Sequence, residues 1–298
     1  MRPKRIIVTG GRGRLAALLA AHLRAPAYEV ALFSRTASPG FQELDGLTRS
    51  ETYLGGDTVL HLAWSTLPAT SETPPRSEWQ HDLPLLENML GALTTLNTTE
   101  RPHFVFLSSG GTVYGNAPGR PSCEADPCRP LGWYGQAKLA AEEMIEAAAA
   151  RHGLGCTILR LSNPYGYSVG KTRAQGLIPH ALRCAMEGHA LTLFGDGSAR
   201  KDFLHCSDFL AAMDRVIALR PAGIFNLGAG ESHSVREVLA LVEQHTGRAV
   251  PLHHAPAPAW DVQDCRLDIT RFCAATGWRP LVTLDEGIRL SVRDYIAS

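Results

Sequence analysis

The chain has 298 residues, in which 29 Lys+Arg balance 29 Asp+Glu, and 45% of the residues are hydrophobic. This balance excludes the basic excess of nucleic-acid-binding proteins and the low hydrophobicity of disordered ones. No apolar run approaches the ~18 residues of a membrane span, and Gly10 comes too soon for a signal peptide, so we expect a cytoplasmic protein without membrane or nucleic-acid partners.

The first half of the chain alternates short apolar runs with helical patterns. Strands are predicted at residues 6–8, 29–33, 58–63, 104–107 and 156–161. Helices are predicted after Gly13, at 84–96 and at 134–150, with Gly153 ending the last of these. Strands that alternate with helices imply a Rossmann-type, doubly wound parallel sheet of the α/β class.

The pattern loosens beyond residue 163. Helices are predicted at 178–186, 209–219 and 235–245, and a short strand at 191–194. The Pro-, Ala- and His-rich residues 251–258 are predicted to form a loop. We therefore predict a dinucleotide-binding domain over residues 1–165 and a small substrate-binding lobe over 166–298, parts of which return to the first domain.

A glycine turn follows the first predicted strand. In the pattern Gly10-x-x-Gly13-x-x-Ala16, glycine permits positive φ and a close approach of pyrophosphate, and the free N–H groups of the following helix attract that anion. The pattern predicts a dinucleotide site that includes Arg12 and Arg14. An ordinary strand-to-helix turn is the alternative.

The end of the second predicted strand bears on the choice of cofactor. NAD sites usually carry Asp or Glu here for the ribose 2′-hydroxyl, but this chain has Ser34 and Arg35. Arg35 either meets a 2′-phosphate, which would favour NADP, or is a solvated loop residue. We predict NAD, leave NADP open, and include Ser34, Arg35, Leu62 and Ala63 among the cofactor-binding residues.

Tyr134 and Lys138 lie four residues apart, and therefore on one face of a predicted helix. A phenol with a pKa near ~10 is a poor base at neutral pH, but a nearby ammonium favours the phenolate and lowers that pKa. The pair then supplies a proton acceptor for a substrate hydroxyl. The segment 108–115, which follows a predicted strand, can offer a further hydroxyl to the reacting oxygen.

Further motifs accompany these residues along nearly the whole chain. They are His61-Leu62-Ala63, Ser-Ser-Gly-Gly-Thr-Val-Tyr-Gly at 108–115, Asn163-Pro164-Tyr165-Gly166, Leu193-Phe194-Gly195-Asp196-Gly197, Lys201-Asp202-Phe203, Asn226-Leu227-Gly228 and Gly277-Trp278-x-Pro280. Together with the glycine turn and the Tyr134/Lys138 pair, they resemble the extended short-chain dehydrogenases/reductases of the NAD-dependent epimerase/dehydratase family, which act on nucleotide sugars.

The resemblance implies roles for individual residues. Tyr134 is the base, Lys138 orients the nicotinamide ribose, and a Ser or Thr hydroxyl assists at the sugar. The family often has this hydroxyl where the chain has Gly110, so Ser109 is the nearest candidate and Thr112 the second. The resemblance also implies a homodimer formed through a four-helix face that includes residues 84–96 and the Tyr134 helix.

The resemblance further implies that Asn163 meets the substrate diphosphate and that residues 193–201 hold the nucleotide end. The predicted substrate-binding residues are Ser65, Asn163, Gln175, Leu193, Phe194 and Lys201. Lys201 replaces the family's usual arginine and cannot form a bidentate fork on phosphate. The stretch between Arg35 and Asp57 is short for the family, so we expect its third strand and the acid on it to be missing.

The motifs also bear on the reaction. Family dehydratases carry an Asp-Glu pair just before Val-Tyr-Gly, where this chain has Gly111 and Thr112, and the Glu of the decarboxylases is absent as well. A UDP-hexose 4-epimerase is favoured, and an NADPH-dependent 4-ketoreductase, which Ser34 and Arg35 favour, is the alternative. A non-catalytic dinucleotide-binding protein is a third reading, against which the intact Tyr134/Lys138 pair argues.

Two other residue types complete the predictions. The seven cysteines are odd in number and include no Cys-x-x-Cys, and no Cys/His spacing suits zinc, so we predict reduced thiols and no metal. Trp64, Trp79 and Trp133 are interpreted as packing residues. Trp64 has the best claim to a functional role, because it follows a predicted strand at the edge of the site.

Overall fold

The computed structural model describes residues 3–24, 26–72, 77–116, 119–167 and 176–297. The chain forms two compact units. The first unit comprises Met1–Ser109, Gly132–Arg160 and Met213–Phe225, and the second comprises Gly110–Leu131, Leu161–Ala212 and Asn226–Ser298. The division predicted from the sequence, at residue 165, stays a prediction.

The strands and helices are numbered in chain order. They are β1 (Lys4–Thr9), α1 (Arg14–His22), β2 (Tyr28–Ser34), β3 (Gln42–Glu43), β4 (Thr58–His61), α2 (Leu83–Thr95), β5 (His103–Ser109), α3 (Trp133–His152), β6 (Cys156–Leu161), β7 (Asn163–Tyr165), α4 (Leu177–Glu187), β8 (Leu191–Phe194), β9 (Arg200–Lys201), β10 (Phe203–His205), α5 (Cys206–Leu219), β11 (Gly223–Leu227), β12 (His233–Ser234), α6 (Val235–Thr246), β13 (Leu252–Ala255), α7 (Thr270–Thr276) and α8 (Leu284–Ile296).

A seven-stranded sheet organises the first unit, in the order β11-β6-β5-β4-β1-β2-β3. β1 pairs in parallel with β2 and β4, and β4 pairs in parallel with β5. All residues of β4 and β6 are buried, as in parallel sheets that are covered on both faces. The predicted Rossmann-type α/β fold is confirmed.

The core of the first unit joins the sheet to two helices. Phe104 and Ile158 from the strands pack in one buried cluster with Leu86 and Leu93 of α2 and Ile145 of α3. A π-helical turn, Glu78–Asp82, precedes α2. Such wide turns occur frequently at functional sites, and this one buries the side chains of Glu78 and Asp82.

The second unit contains three small sheets of two strands each, β7 with β10, β9 with β12 and β8 with β13. Its main core packs α4, α6 and α8 together through Ile178, Leu182, Val242 and Ile288, among others. The predicted loop over 251–258 is wrong, because β13 pairs in parallel with β8. Its prolines fall just outside the strand, so no amide of the ladder is lost.

Two further sequence expectations differ from the structure. The third strand of the first unit exists as the two-residue β3, which pairs with the end of β2. The strand predicted over 58–63 ends at His61, so Leu62 and Ala63 lie in the loop that follows β4. The sequence analysis also missed α8, although Thr283 and Glu286 carry the Thr-x-x-Glu signature of a helix start and the Thr283 hydroxyl accepts from the Glu286 N–H.

Within the described residues, no helix has both the length and the apolar character needed to cross a membrane.

Two buried histidines make the stability of the fold depend on pH. Burial lowers the pKa of His61 to about 3, with a smaller effect of the Lys138 charge, and lowers that of His103 to about 4, with a smaller effect of Arg220. Both imidazoles are therefore neutral in the folded protein at pH values where the unfolded chain is protonated. The stability that they contribute is complete above pH ~6.5 and is lost as the pH falls towards 4.

Each histidine adds about 1.4 kcal/mol per pH unit to this loss. Between pH 6 and 4.5, we expect the free energy of unfolding in urea to fall more steeply for the wild type than for His103→Gln. The two slopes should differ by about 1.4 kcal/mol per pH unit. Equal slopes for the two proteins would show that His103 is protonated in the fold.

Candidate active site

Gly10 brings the loop after β1 against the loop after β4. Its φ is +69°, and a Cβ atom at this position would lie 2.8 Å from the Ala63 nitrogen and 2.9 Å from the Ala63 Cα. The Thr9 hydroxyl accepts the N–H groups of Leu62, at 3.1 Å, and Ala63, at 3.0 Å. The two loops are thus joined through backbone atoms, and the contact leaves no room for a side chain.

The start of α1 fits an anion. Gly13 is the N-cap and has no side chain to accept the first N–H groups of the helix, and the first turn contains no acidic residue. The N–H groups of this helix start, with the partial positive charge of the helix end, suit a pyrophosphate. Arg14 is the first residue of this helix and is half-buried. The turn that the sequence predicted therefore has the geometry of a dinucleotide site.

The residues predicted to bind the cofactor near the end of β2 differ in their contacts. The Arg12 guanidinium donates to the hydroxyls of Ser34 and Ser38, at 3.4 and 2.8 Å. Arg35 is exposed and has no polar contact with any residue that the structure describes. Glu43 on β3 stands opposite Ser34 in the sheet register, so the short third strand, which was expected to be missing, does carry an acid.

A matched pair of glycine variants tests the turn. We expect Gly10→Ala to lower the free energy of unfolding by more than the ~1–2 kcal/mol of a left-handed alanine, because its Cβ meets backbone that cannot rotate away, and to weaken NAD binding at least about tenfold. Gly40 is the control, since its φ is +83° but no atom lies within 4 Å of a Cβ there. Urea unfolding and NAD titration measure the two variants. Equal losses from both would contradict a special role of Gly10.

Tyr134 and Lys138 lie on the first two turns of α3. The Lys138 ammonium is buried and donates a 2.8 Å hydrogen bond to the Leu107 carbonyl. Its Nζ lies 3.8 Å from the centre of the Trp64 ring and 4.7 Å from that of Phe106. The distance from Nζ to the Tyr134 ring centre is 5.8 Å, so the cation lies beside the phenol.

The electrostatics of the pair differ from the sequence expectation. Burial lowers the pKa of Lys138 to about 7, against the opposing charges of Asp82, Glu142 and Glu78. Burial also raises the pKa of the Tyr134 hydroxyl above its usual value, and the carboxylates of Glu78 and Asp82 raise it further. The net shift is therefore upward, opposite to the direction that the ammonium alone would give, because burial and the two carboxylates raise this pKa.

The two acids of the π-helical turn were not among the predicted site residues. Asp82 accepts hydrogen bonds from the N–H and the hydroxyl of Ser65, at 2.9 and 2.6 Å, and Glu78 accepts one from the Thr66 hydroxyl. Burial raises the pKa of Asp82, and its bonds to Ser65 oppose that rise. The predicted substrate residue Ser65 is therefore engaged by Asp82. The sequence signal was the run Trp64-Ser65-Thr66 directly after a strand.

The hydroxyls that were predicted to assist at the sugar have different surroundings. Ser108 donates to the buried Glu142. Ser109, the last residue of β5, is half-buried, and no described residue forms a hydrogen bond with its hydroxyl. Thr112 belongs to the second unit, and its buried hydroxyl has no partner in the described part of the chain.

The other predicted substrate residues lie in the second unit. The Asn163 amide donates to the Asp202 carbonyl at 2.9 Å, and the Lys201 ammonium forms a 2.7 Å ion pair with Asp261. Leu193 is buried on β8, whereas Phe194 is exposed. Gln175 lies outside the described residues. A phosphate at Lys201 would therefore share this cation with a carboxylate.

Comparison with known proteins adds to this geometry. Residues 6–228 match the NAD dependent epimerase/dehydratase family. The chain belongs to this family. It is 30% identical to a UDP-glucose 4-epimerase of Corynebacterium glutamicum over 93% of this chain and 91% of that protein. It is also 30% identical to a dTDP-4-dehydro-6-deoxyglucose reductase of Escherichia coli, over 78% of this chain and 72% of that protein.

A solved structure agrees with these relatives. The UDP-glucose 4-epimerase of Thermus thermophilus, determined as a complex with NAD, is 28% identical to the chain and superposes with a TM-score of 0.88 over 99% of both chains. The predicted family, its fold and NAD as cofactor are thus confirmed. The family includes epimerases, dehydratases and reductases, which supports an enzyme of one of these kinds. The described residues contain no cluster of three or more side chains suited to hold a metal ion.

Proposed function

We propose that the protein is a nucleotide-sugar 4-epimerase that acts on a UDP-hexose by transient oxidation at C4. The observation that carries this proposal is the Tyr134/Lys138 pair on α3, beside a glycine turn shaped for a dinucleotide. Gly111 and Thr112 stand where a dehydratase needs two acids, so the chain offers the groups for hydride and proton transfer and lacks those for loss of water.

Different residues bind the different parts of the dinucleotide. The Gly10–Gly13 turn and the start of α1 hold the pyrophosphate, and the end of β2 with Glu43 meets the adenosine ribose. Lys138 orients the nicotinamide ribose. NAD bound here would supply a reversible hydride acceptor for C4 of the sugar.

The protein's own groups move the proton and hold the sugar. Tyr134 takes the proton of the 4-hydroxyl and later returns it. The Lys138 charge favours the phenolate against the burial that raises the pKa of Tyr134. Ser109 donates its hydroxyl to the reacting oxygen, with Thr112 as the alternative donor. Asn163, Gln175 and Lys201 hold the diphosphate end.

A 4-ketoreductase is the second candidate. It is favoured by the Arg12 and Arg35 side chains at the end of β2, which suit the 2′-phosphate of NADPH, and by the E. coli reductase among the relatives. Glu43 favours the epimerase instead, because its carboxylate opposite Ser34 suits a free ribose 2′-hydroxyl and repels a phosphate.

One set of incubations separates the candidates. The purified protein is incubated with UDP-glucose, UDP-N-acetylglucosamine, UDP-glucuronate or a UDP-4-keto sugar, each with NAD or NADPH, and the products are identified by NMR. We expect interconversion of a gluco and a galacto sugar without net change in the cofactor. Net consumption of NADPH with a keto sugar, and no epimer from any substrate, would overturn the epimerase in favour of the reductase.

We also propose that the protein is a homodimer of the cytoplasm. Sedimentation at micromolar concentration should give twice the 32.2 kDa chain mass. Substitution of an exposed residue of α2, such as Glu87→Arg, should shift the protein towards the monomer if this helix forms the interface. Sedimentation of the wild type as a monomer would contradict the dimer.

A further inference from the structure

Trp64 has contacts that packing alone does not explain. It follows β4, and the Lys138 Nζ lies 3.8 Å from the centre of its ring. The Trp64 ring also meets the edge of Tyr134, at 6.4 Å between ring centres, and is tilted against Phe106 at 6.0 Å. The indole therefore contacts both members of the Tyr134/Lys138 pair.

Among the described residues, the buried Lys138 ammonium has few polar neighbours that compensate its charge. An ammonium has three donors, but within the described residues that of Lys138 has only one hydrogen-bond acceptor, the Leu107 carbonyl. No carboxylate in the described part of the chain comes within ion-pair distance of it, although Asp82, Glu142 and Glu78 act on it from farther away. Burying a charge without compensation is costly, and the faces of Trp64 and Phe106 are the groups that surround it.

An unsatisfied donor on Trp64 also supports a contact between its ring and the Lys138 ammonium. Its Nε1 is buried and has no hydrogen-bond partner among the described residues, whereas buried indole N–H groups usually find one. Leucine or phenylalanine would fill the space without leaving a donor unsatisfied. The face of the indole, which is the best of the aromatic faces for a cation, accounts for tryptophan at this position.

We propose that Trp64 is a positioning residue, whose indole face stabilises the Lys138 ammonium and fixes it beside Tyr134. The effect of this contact on the reaction rests on the proposed function, whereas the contact itself does not. Tyr134, Asp82, Glu78, Glu142 and His61 are the other titratable groups that act on Lys138 or on its neighbour. Trp64 carries no charge, so its replacement removes none of these titratable groups.

Two variants of similar side-chain volume isolate the aromatic face. Trp64→Phe keeps a ring, and Trp64→Met fills a comparable space without one. The chain has four lysines, Lys4, Lys138, Lys171 and Lys201, so selective ¹³C-lysine labelling gives four NMR signals whose shifts report each ammonium's titration. The Lys138→Met variant assigns the signal. Trp79→Met is the control, because Trp79 is 43% exposed.

We expect the titration midpoint of Lys138 to fall by about one pH unit in Trp64→Met, to lie between the two values in Trp64→Phe, and to stay unchanged in Trp79→Met. Equal midpoints in the Phe and Met variants, or a midpoint in Trp64→Met no lower than in the wild type, would overturn the proposal. This readout does not depend on turnover, so it stands even if no nucleotide sugar is converted.

The kinetic readout follows once a substrate is found. The alkaline limb of the kcat profile should move to lower pH by the same amount as the NMR midpoint in each Trp64 variant. In a Lys138→Met background, Trp64→Met should cause no further loss of kcat. A further loss of tenfold or more would show that Trp64 acts on the reaction by a route other than Lys138, and would overturn the proposal.

Discussion

Replacement of Tyr134 by phenylalanine should lower kcat by about 10³-fold and leave NAD binding within twofold of the wild type. The phenol oxygen is the proposed proton acceptor, and general acid–base groups contribute about 10²–10⁴-fold to rates. The ring itself stays, so its contact with Trp64 and the start of α3 are preserved. Steady-state kinetics and NAD titration measure the two effects.

Tyr28→Phe is the matched control for this substitution. Tyr28 is the first residue of β2, in the same unit as Tyr134, and is half-buried. It lies at the opposite end of the strand from the glycine turn. It should keep full activity. A Tyr134→Phe variant that retains more than a tenth of the wild-type kcat would exclude Tyr134 as the base. Conversion of no nucleotide sugar by the wild type would instead favour the non-catalytic dinucleotide-binding protein.

The second large effect is on stability. Glu142 and Arg160 form a buried ion pair at 2.7 Å, with exposed side-chain fractions of only 1% and 4%. The Arg160 Nε also donates to both oxygens of Glu142, and Ser108 donates to the same carboxylate. Removal of one partner from such a pair leaves a buried charge unmatched, which costs about 3–5 kcal/mol. We expect this loss in the free energy of unfolding of Glu142→Ala.

The neighbouring residue on α3 provides the control. Glu143 is exposed, so Glu143→Ala should change the free energy of unfolding by less than about 0.5 kcal/mol. Urea unfolding followed by circular dichroism measures both variants. A loss below about 1 kcal/mol in Glu142→Ala would show that water or another group replaces the carboxylate.

The features that the sequence predicted well are local. The apolar runs of the strands, the glycine turn after β1 and the Ala- and Glu-rich α3 each carry their signal within a few residues. The spacing of Tyr134 and Lys138 placed both on one helix face for the same reason. β13 was missed because its residues are mostly exposed and only its backbone pairing with β8 makes it a strand.

The features that the sequence could not predict depend on contacts between distant residues. Nothing local indicates that Asp82 accepts from Ser65 or that Lys201 pairs with Asp261. The direction of the pKa shift at Tyr134 likewise required the burial of α3 against the π-helical turn, since the spacing to Lys138 alone implied the opposite sign. Glu43 became relevant only through its register with Ser34.

The proposed reaction inverts C4 of a nucleotide sugar by removing and returning one hydride. The direct measurement is the fate of deuterium in UDP-glucose labelled at C4, incubated with the protein and NAD in ordinary water and followed by NMR. We predict that the galacto product carries the deuterium at C4 and that NADH does not accumulate. Loss of the label to solvent, or a galacto product formed with a proton at C4, would contradict this mechanism.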